Sequence, residues 1–189
     1  MALSKGGWAA VIIIGLIFII GISLVSMYNS LVRKDVRVEE TWAEIDNMLL
    51  RRNDLISNLV ETVKGYAAHE KELFENVANA RAKLAGSATI PDKIGAANEL
   101  SGFMGRLLAI AENYPVLKAN ENFLKLQDEL AGTENRIAVS RTRYNQAVKD
   151  FNTAIRVFPK NLIAGFLGYS AKTFFEVAEE SKAVPQVKF

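Results

Sequence analysis

The chain has 189 residues, half of them apolar, with 23 basic against 21 acidic side chains, one histidine and no cysteine. A net charge of +2 leaves no electrostatic footprint for nucleic acid. The absent thiols exclude disulfides, thiolate metal centres, cysteine nucleophiles and a lipidated cysteine.

Lys5 is the only charged residue ahead of Tyr28, and the next run, Trp8 to Met27, reads WAAVIIIGLIFIIGISLVSM. It contains neither charge nor proline. At about 1.5 Å per helical residue, roughly 20 residues cross about 30 Å of hydrocarbon, and a helix satisfies every peptide group within the segment. Ile14, Phe18 and Ile22 fall along its middle, and Trp8 and Tyr28 sit at the ends, where amphipathic rings favour headgroups. The alternative is a cleaved signal peptide. Such segments have apolar cores of about 7–15 residues before an A-x-A-like site, and only Ser23 and Ser26 stand in for one here. We therefore expect a retained transmembrane anchor over residues 1–28, with membrane lipid as its first partner.

Arg33, Lys34 and Arg37 follow within a few turns and outnumber Lys5, which points the large C-terminal part toward the cytoplasm. Against an anionic surface each would add about 1 kcal/mol of attraction, and ordinary topology signalling explains them equally well. About 160 residues then remain, enough for one domain, expected over residues 29–183 with a tail at 184–189.

Pro91, Pro115, Pro159 and Pro185 divide that domain, each unable to donate to a preceding turn. No stretch alternates with period two long enough to make a strand. The first piece, Tyr28 to Leu84, carries a three/four-spaced seam: Leu31, Val38, Trp42, Ile45, Leu49, Ile56, Leu59, Val63, Tyr66, Leu73, Val77 and Leu84. Only Asp35, Arg52 and Glu70 interrupt it. The spacing predicts one continuous rod of about 85 Å, stopped by Gly86 and Ser87. The second piece, to Asn113, has an apolar face around Leu100, Phe103 and Leu107. Gly95, Gly102 and Gly105 each cost a helix about 1 kcal/mol, and SGFMG, which holds the last two, reads either as a weakened turn or, the preferred reading, as a close approach of two helices. The third resumes after Pro115, with a seam from Phe123 through Leu130, Ile137, Tyr144 and Phe151 to Phe158. The fourth, Asn161 to Glu180, holds more bulky apolar groups than one narrow stripe can bury, and Gly165 and Gly168 interrupt its first half. The fold class is thus all-α: a transmembrane helix, then an up-and-down four-helix bundle with a long first helix.

Three stretches together resemble the LemA family of bacterial membrane proteins: Tyr28–Glu70, Tyr114–Asn152 and Phe158–Tyr169 (the last reading FPKNLIAGFLGY). They cover most of the chain, and their order, spacing and prolines agree. One departure is Ser57, where the family often has proline, so the first helix is expected to run straight. The resemblance implies a single-pass protein of the bacterial inner membrane with a helical bundle. It also implies neighbours among quality-control proteins, including HtpX-like metalloproteases, and it supplies no reaction and no cofactor.

The residues themselves carry little chemistry. His69, in HEKE, lacks the second histidine of a zinc-protease helix or of a di-iron bundle, so a surface or helix-end histidine is expected and no metal site is assigned. No phosphate loop, dinucleotide fingerprint or serine elbow occurs. The seam-breaking charges need partners: Glu134, Arg136 and Arg141 are the candidate counterparts of Arg52 and Glu70, in register-fixing buried pairs. Phe166, Leu167, Tyr169, Phe174 and Phe175 are expected to include an exposed apolar patch for self-association or for lying at a membrane interface. The competing reading places them all in the core. The function expected is a non-enzymatic, membrane-anchored scaffold that self-assembles into a homo-oligomer or organises other membrane proteins. The alternative is an adaptor or regulator of a membrane metalloprotease.

Overall fold

The computed structural model describes residues 5–67 and 69–176, and every regular element in them is helical. In chain order these are α1 (Lys5–Lys64), α2 (Lys71–Gly86), α3 (Ile90–Ala111), α4 (Pro115–Lys118), α5 (Glu121–Ala154) and α6 (Lys160–Phe166). The tail at 184–189, with Pro185, lies outside the described residues. Packing separates two units: the described residues up to Glu40 with Gln146–Lys172, and Thr41–Asn145 with the described residues from Thr173 onward.

The first unit holds the apolar run. α1 is long and apolar enough there to cross a membrane, and none of its most apolar stretch is covered by the rest of the chain. Ile14 and Phe18 are about two-thirds exposed. Such a run has the length and composition of a membrane-crossing helix. Beyond it α1 acquires a packed side. Leu31 is fully buried with Ala154 of α5 and Ala164 of α6, and Ile155, Ile163 and Tyr169 close around them. Phe151 meets Tyr169 edge to face with ring centroids 5.4 Å apart. α6 ends in a left-handed turn: Gly168 has φ +72°, Tyr169 N–H donates to the Ala164 carbonyl and Gly168 N–H to that of Gly165. Glycine takes that conformation without strain.

The second unit is a bundle of four helices: the Thr41–Lys64 stretch of α1, then α2, α3 and the Glu121–Asn145 stretch of α5. Ile45, Leu49, Ile56, Leu59 and Val63 of α1 are buried, as are Phe123, Leu130, Ile137 and Tyr144 of α5. Polar ties mark the neighbours. Lys93 of α3 lies 2.7 Å from Asp46 of α1, Arg81 of α2 donates to Asn53 of α1 at 3.0 Å, and Lys83 of α2 meets Glu99 of α3. α1 continues unbroken through Ser57.

Three expectations need correction. The rod predicted to Leu84 ends at Lys64, because Gly65 is a poor helix former and the Val63 carbonyl accepts N–H bonds from both Tyr66 and Ala67. The chain re-enters a helix at Lys71, and the seam changes hands: Ala67 is buried while Tyr66 is 39% exposed. Secondly, the fourth piece is no bundle helix. It forms the seven-residue α6, then extended chain through Glu176, and α2 supplies the remaining bundle helix.

Thirdly, the glycines of α3 mark no close approach. A Cβ built on Gly95, Gly102 or Gly105 meets nothing within 4 Å, and α3 runs through all three. Each therefore only weakens the helix, by about 1 kcal/mol relative to alanine. Gly102→Ala and Gly105→Ala are expected to stabilise the bundle by about 0.5–1 kcal/mol each, read as a raised urea midpoint. A lowered midpoint in both would restore the close-approach reading.

Candidate functional surfaces

Among the described residues Arg52 is the most deeply placed charge of the second unit, its side chain 3% exposed. It enters the bundle because its α1 position belongs to the buried seam, between Leu49 and Ile56. One guanidinium nitrogen donates to Ser101 Oγ at 2.9 Å and to Glu134 Oε1 at 2.8 Å; the other donates to the Ala97 carbonyl at 3.0 Å. Its Nε is buried without a hydrogen-bond acceptor. The cluster joins α1, α3 and α5, and the three hydrogen bonds from its two terminal nitrogens all go to the protein's own groups. Glu70 and Arg141 do not join it. Glu70 is half-buried where α2 begins, beside Arg106 in a surface cleft, and Arg141 lies over the Phe175 ring, 5.8 Å from its centroid.

Tyr144 and Asn145 hold the extended chain of the same unit. Tyr144 Oη donates to the Thr173 carbonyl at 2.8 Å, and its ring meets Trp42 edge to face at 5.4 Å. Asn145 both donates to the Phe175 carbonyl and accepts from the Phe175 N–H, so Phe175 is 4% exposed, beside Trp42. Burial pushes the Tyr144 phenol above its ordinary value. A phenol that ionises less readily folded than unfolded gives stability that is complete below about pH 10 and is lost as pH rises through the folded value. Tyr144→Phe is expected to flatten that alkaline loss, measured as thermal midpoints across pH 9–12; an unchanged slope would assign it to other groups.

In the first unit Asn152 makes the same two-way bond, donating to the Lys172 carbonyl and accepting its N–H. Lys172 Nζ lies 2.8 Å from Asp35 Oδ1 as an ion pair without hydrogen-bond alignment, and 5.5 Å over the Phe151 ring. Asp35 is the third seam-breaking charge, and this is its partner. Tyr169, beside it, has its phenol raised by desolvation and then by the Asp35 carboxylate. Lys160 Nζ donates to Ser30 Oγ at 2.9 Å. Arg33, Lys34 and Arg37 line an open cleft of about 360 Å³ with Ser30, Ala147 and Asp150, and Arg37 also pairs with Glu40.

The five residues expected to include an apolar patch divide. Phe166 is 92% exposed, Leu167 and Phe174 are just over a third exposed, Tyr169 is half-buried in the Leu31 core, and Phe175 is buried. Phe158 and Leu162, which sequence reasoning left out of that set, are 74% and 65% exposed. Their four-residue spacing with Phe166 was masked because Phe158 reads as the last residue of the α5 seam, whereas α5 ends at Ala154 and Phe158 is exposed. His69 sits exposed in the turn between α1 and α2, and among the described residues no group of three metal-ligating side chains assembles.

Magnetosome protein MamQ 2 of Paramagnetospirillum magneticum is 24% identical over 202 aligned positions, which cover 92% of this chain and 74% of that protein. Magnetosome protein MamQ of Magnetospirillum gryphiswaldense is 25% identical over 179 positions, 81% of this chain and 66% of that one. Protein LemA of Metamycoplasma hominis is 25% identical over 154 positions, 80% and 69% of the two chains. The LemA family model matches residues 41–189, from the start of the bundle unit onward, and this chain belongs to that family.

Proposed function

We propose that this protein is a non-enzymatic, single-pass membrane scaffold, anchored through Trp8–Met27, that associates with copies of itself or organises other membrane proteins. The observation that carries the reading is the pairing of an uncovered, membrane-length apolar run with a helical bundle on one continuous α1. Arg52, the buried charge of the bundle among the described residues, is committed to holding three helices together. An anchor of this kind confines protomers to two dimensions and raises their effective concentration, so weak lateral contacts suffice. Relatives named for the magnetosome support a role in an organised assembly. The basic residues after the run favour a cytoplasmic bundle in a bacterial inner membrane.

The packing narrows where association would occur. The seams of α1 and α5 are filled within the chain, as Leu31, Val38, Ile45, Leu49, Tyr144 and Val148 are all at most 2% exposed. Lateral contacts must therefore use outward groups such as Leu50, Val116 and Val139, each more than half exposed. The test is extraction of the full chain in mild detergent, followed by particle sizing and mass spectrometry of what accompanies it. Large homogeneous particles of this chain, or a fixed set of membrane proteins, support the scaffold. A single co-purifying protease supports the adaptor instead. Monomers with no companion, also after cross-linking in intact membranes, would overturn both.

A further inference from the structure

The last turns of α5 and the whole of α6 belong to the unit that contains the apolar run, and their contacts fix their level along it. Ala154 and Ala164 pack on Leu31, four positions past Met27, and Lys160 is bonded to Ser30. Ala147 and Asp150 lie further back, beside Arg33, Lys34 and Arg37. α5 therefore descends antiparallel to α1, and the residues after Ala154 continue toward Met27, the end of the apolar run. The chain turns back after Ala154 through Val157 and Phe158 into α6, whose Lys160 is bonded to Ser30 and whose Ala164 packs on Leu31, so the turn and α6 lie beside the first residues past Met27.

At that level the outward face is apolar. Phe158, Leu162 and Phe166 recur every four residues and are 74%, 65% and 92% exposed, while Ala164 is buried on the inner face. Water is a poor solvent for three such side chains in a row. The charges agree. In residues 27–34 and 154–168 every charged side chain is basic: Arg33, Lys34, Arg156 and Lys160. The nearest acids, Asp35, paired with Lys172, and Asp150, beside Arg33 and Lys34, lie further from the apolar run. An apolar face rimmed by cations is the composition of an element lying in an anionic headgroup layer.

We propose that α6 and its flanks form a second membrane contact, with Phe158, Leu162 and Phe166 seated among the outer acyl carbons and Arg33, Lys34, Arg156 and Lys160 on anionic headgroups. The chain then holds the bilayer twice, once by crossing it and once by lying on it, roughly 5–10 Å deep. The second hold fixes the rotation and tilt of α1, which a lone span leaves free. This rests on the reading of Trp8–Met27 as a span.

The natural chain has no cysteine, so single-cysteine variants carry one spin label each. Ile14→Cys, Leu162→Cys, Phe166→Cys and, as the aqueous reference, Lys149→Cys would be placed in the full chain. Each would be reconstituted in nanodiscs of phosphatidylglycerol and phosphatidylcholine at one copy per disc. The expected result is loss of collisions with a water-soluble nickel chelate at 14, 162 and 166, with gain of collisions with oxygen, while 149 remains fully accessible. Labels at 162 and 166 as accessible as at 149, with 14 protected, would overturn the second contact and leave the anchor standing. Accessibility at 14 would overturn the span and the inference with it. Protection at 162 and 166 that appears only with several copies per disc would assign the patch to a second copy and overturn the lipid assignment.

Discussion

Glu134→Ala is expected to destabilise the bundle by about 3–5 kcal/mol, more than removal of the cation it serves. The asymmetry follows from burial: the Arg52 side chain is 3% exposed and that of Glu134 35%. Without Glu134 the guanidinium stays inside, held only by Ser101 Oγ and the Ala97 carbonyl, with Nε already lacking an acceptor. Without Arg52 the carboxylate can turn to water, and Arg52→Met keeps much of the volume, so its cost is expected near 1–2 kcal/mol. The two changes should not add: Arg52→Met in the Glu134→Ala background is expected to be more stable than Glu134→Ala alone. Urea unfolding of the full chain in detergent, followed by far-ultraviolet circular dichroism, measures all four corners of the cycle. A Glu134→Ala loss no larger than that of Arg52→Met would show that the pair is hydrated and that Arg52 is no keystone of the bundle.

The parts legible in sequence are those governed by strong local rules. Charge-free length marks the apolar run. Pro91 and Pro115 fall in the first turns of α3 and α4, and Thr89 caps α3 by accepting the Asp92 N–H. The seams of α1 and α5 were readable because a three/four period needs no knowledge of the partner. Gly65 was not readable as a break, since the apolar period resumes in phase at Leu73 and Val77, and a single glycine costs too little to announce a turn. The extended segment was missed for a different reason. Its backbone is satisfied by Asn152 in one unit and Asn145 in the other, and nothing in a sequence separates an asparagine that clamps a backbone from one that faces water. Nor does a sequence pattern report which of several candidate partners a buried charge selects. Arg52 reaches Glu134 because α1 and α5 align those turns, while Arg141, two turns further along α5, meets an aromatic ring instead.

The largest effect on cellular behaviour is expected from charging the middle of the apolar run. Ile14 and Phe18 are four residues apart on one helical face, 67% and 68% exposed, and among the described residues nothing covers that stretch of the helix. An arginine at the centre of a spanning helix costs about 2.5–3.5 kcal/mol on insertion scales, so Ile14→Arg with Phe18→Arg opposes insertion by roughly 5–7 kcal/mol. Both sites are too deep for the long side chains to reach the two interfaces without tilting or thinning the bilayer. The double variant is expected to leave the membrane fraction and to be released by alkaline carbonate, while Ile14→Leu with Phe18→Leu remains embedded. The bundle of Thr41–Asn145 has its own core and should keep its helical signal in the released material. Retention of the arginine variant in carbonate-washed membranes would mean that the run is not what holds the protein there, and that the grip comes from elsewhere on the chain or from a partner.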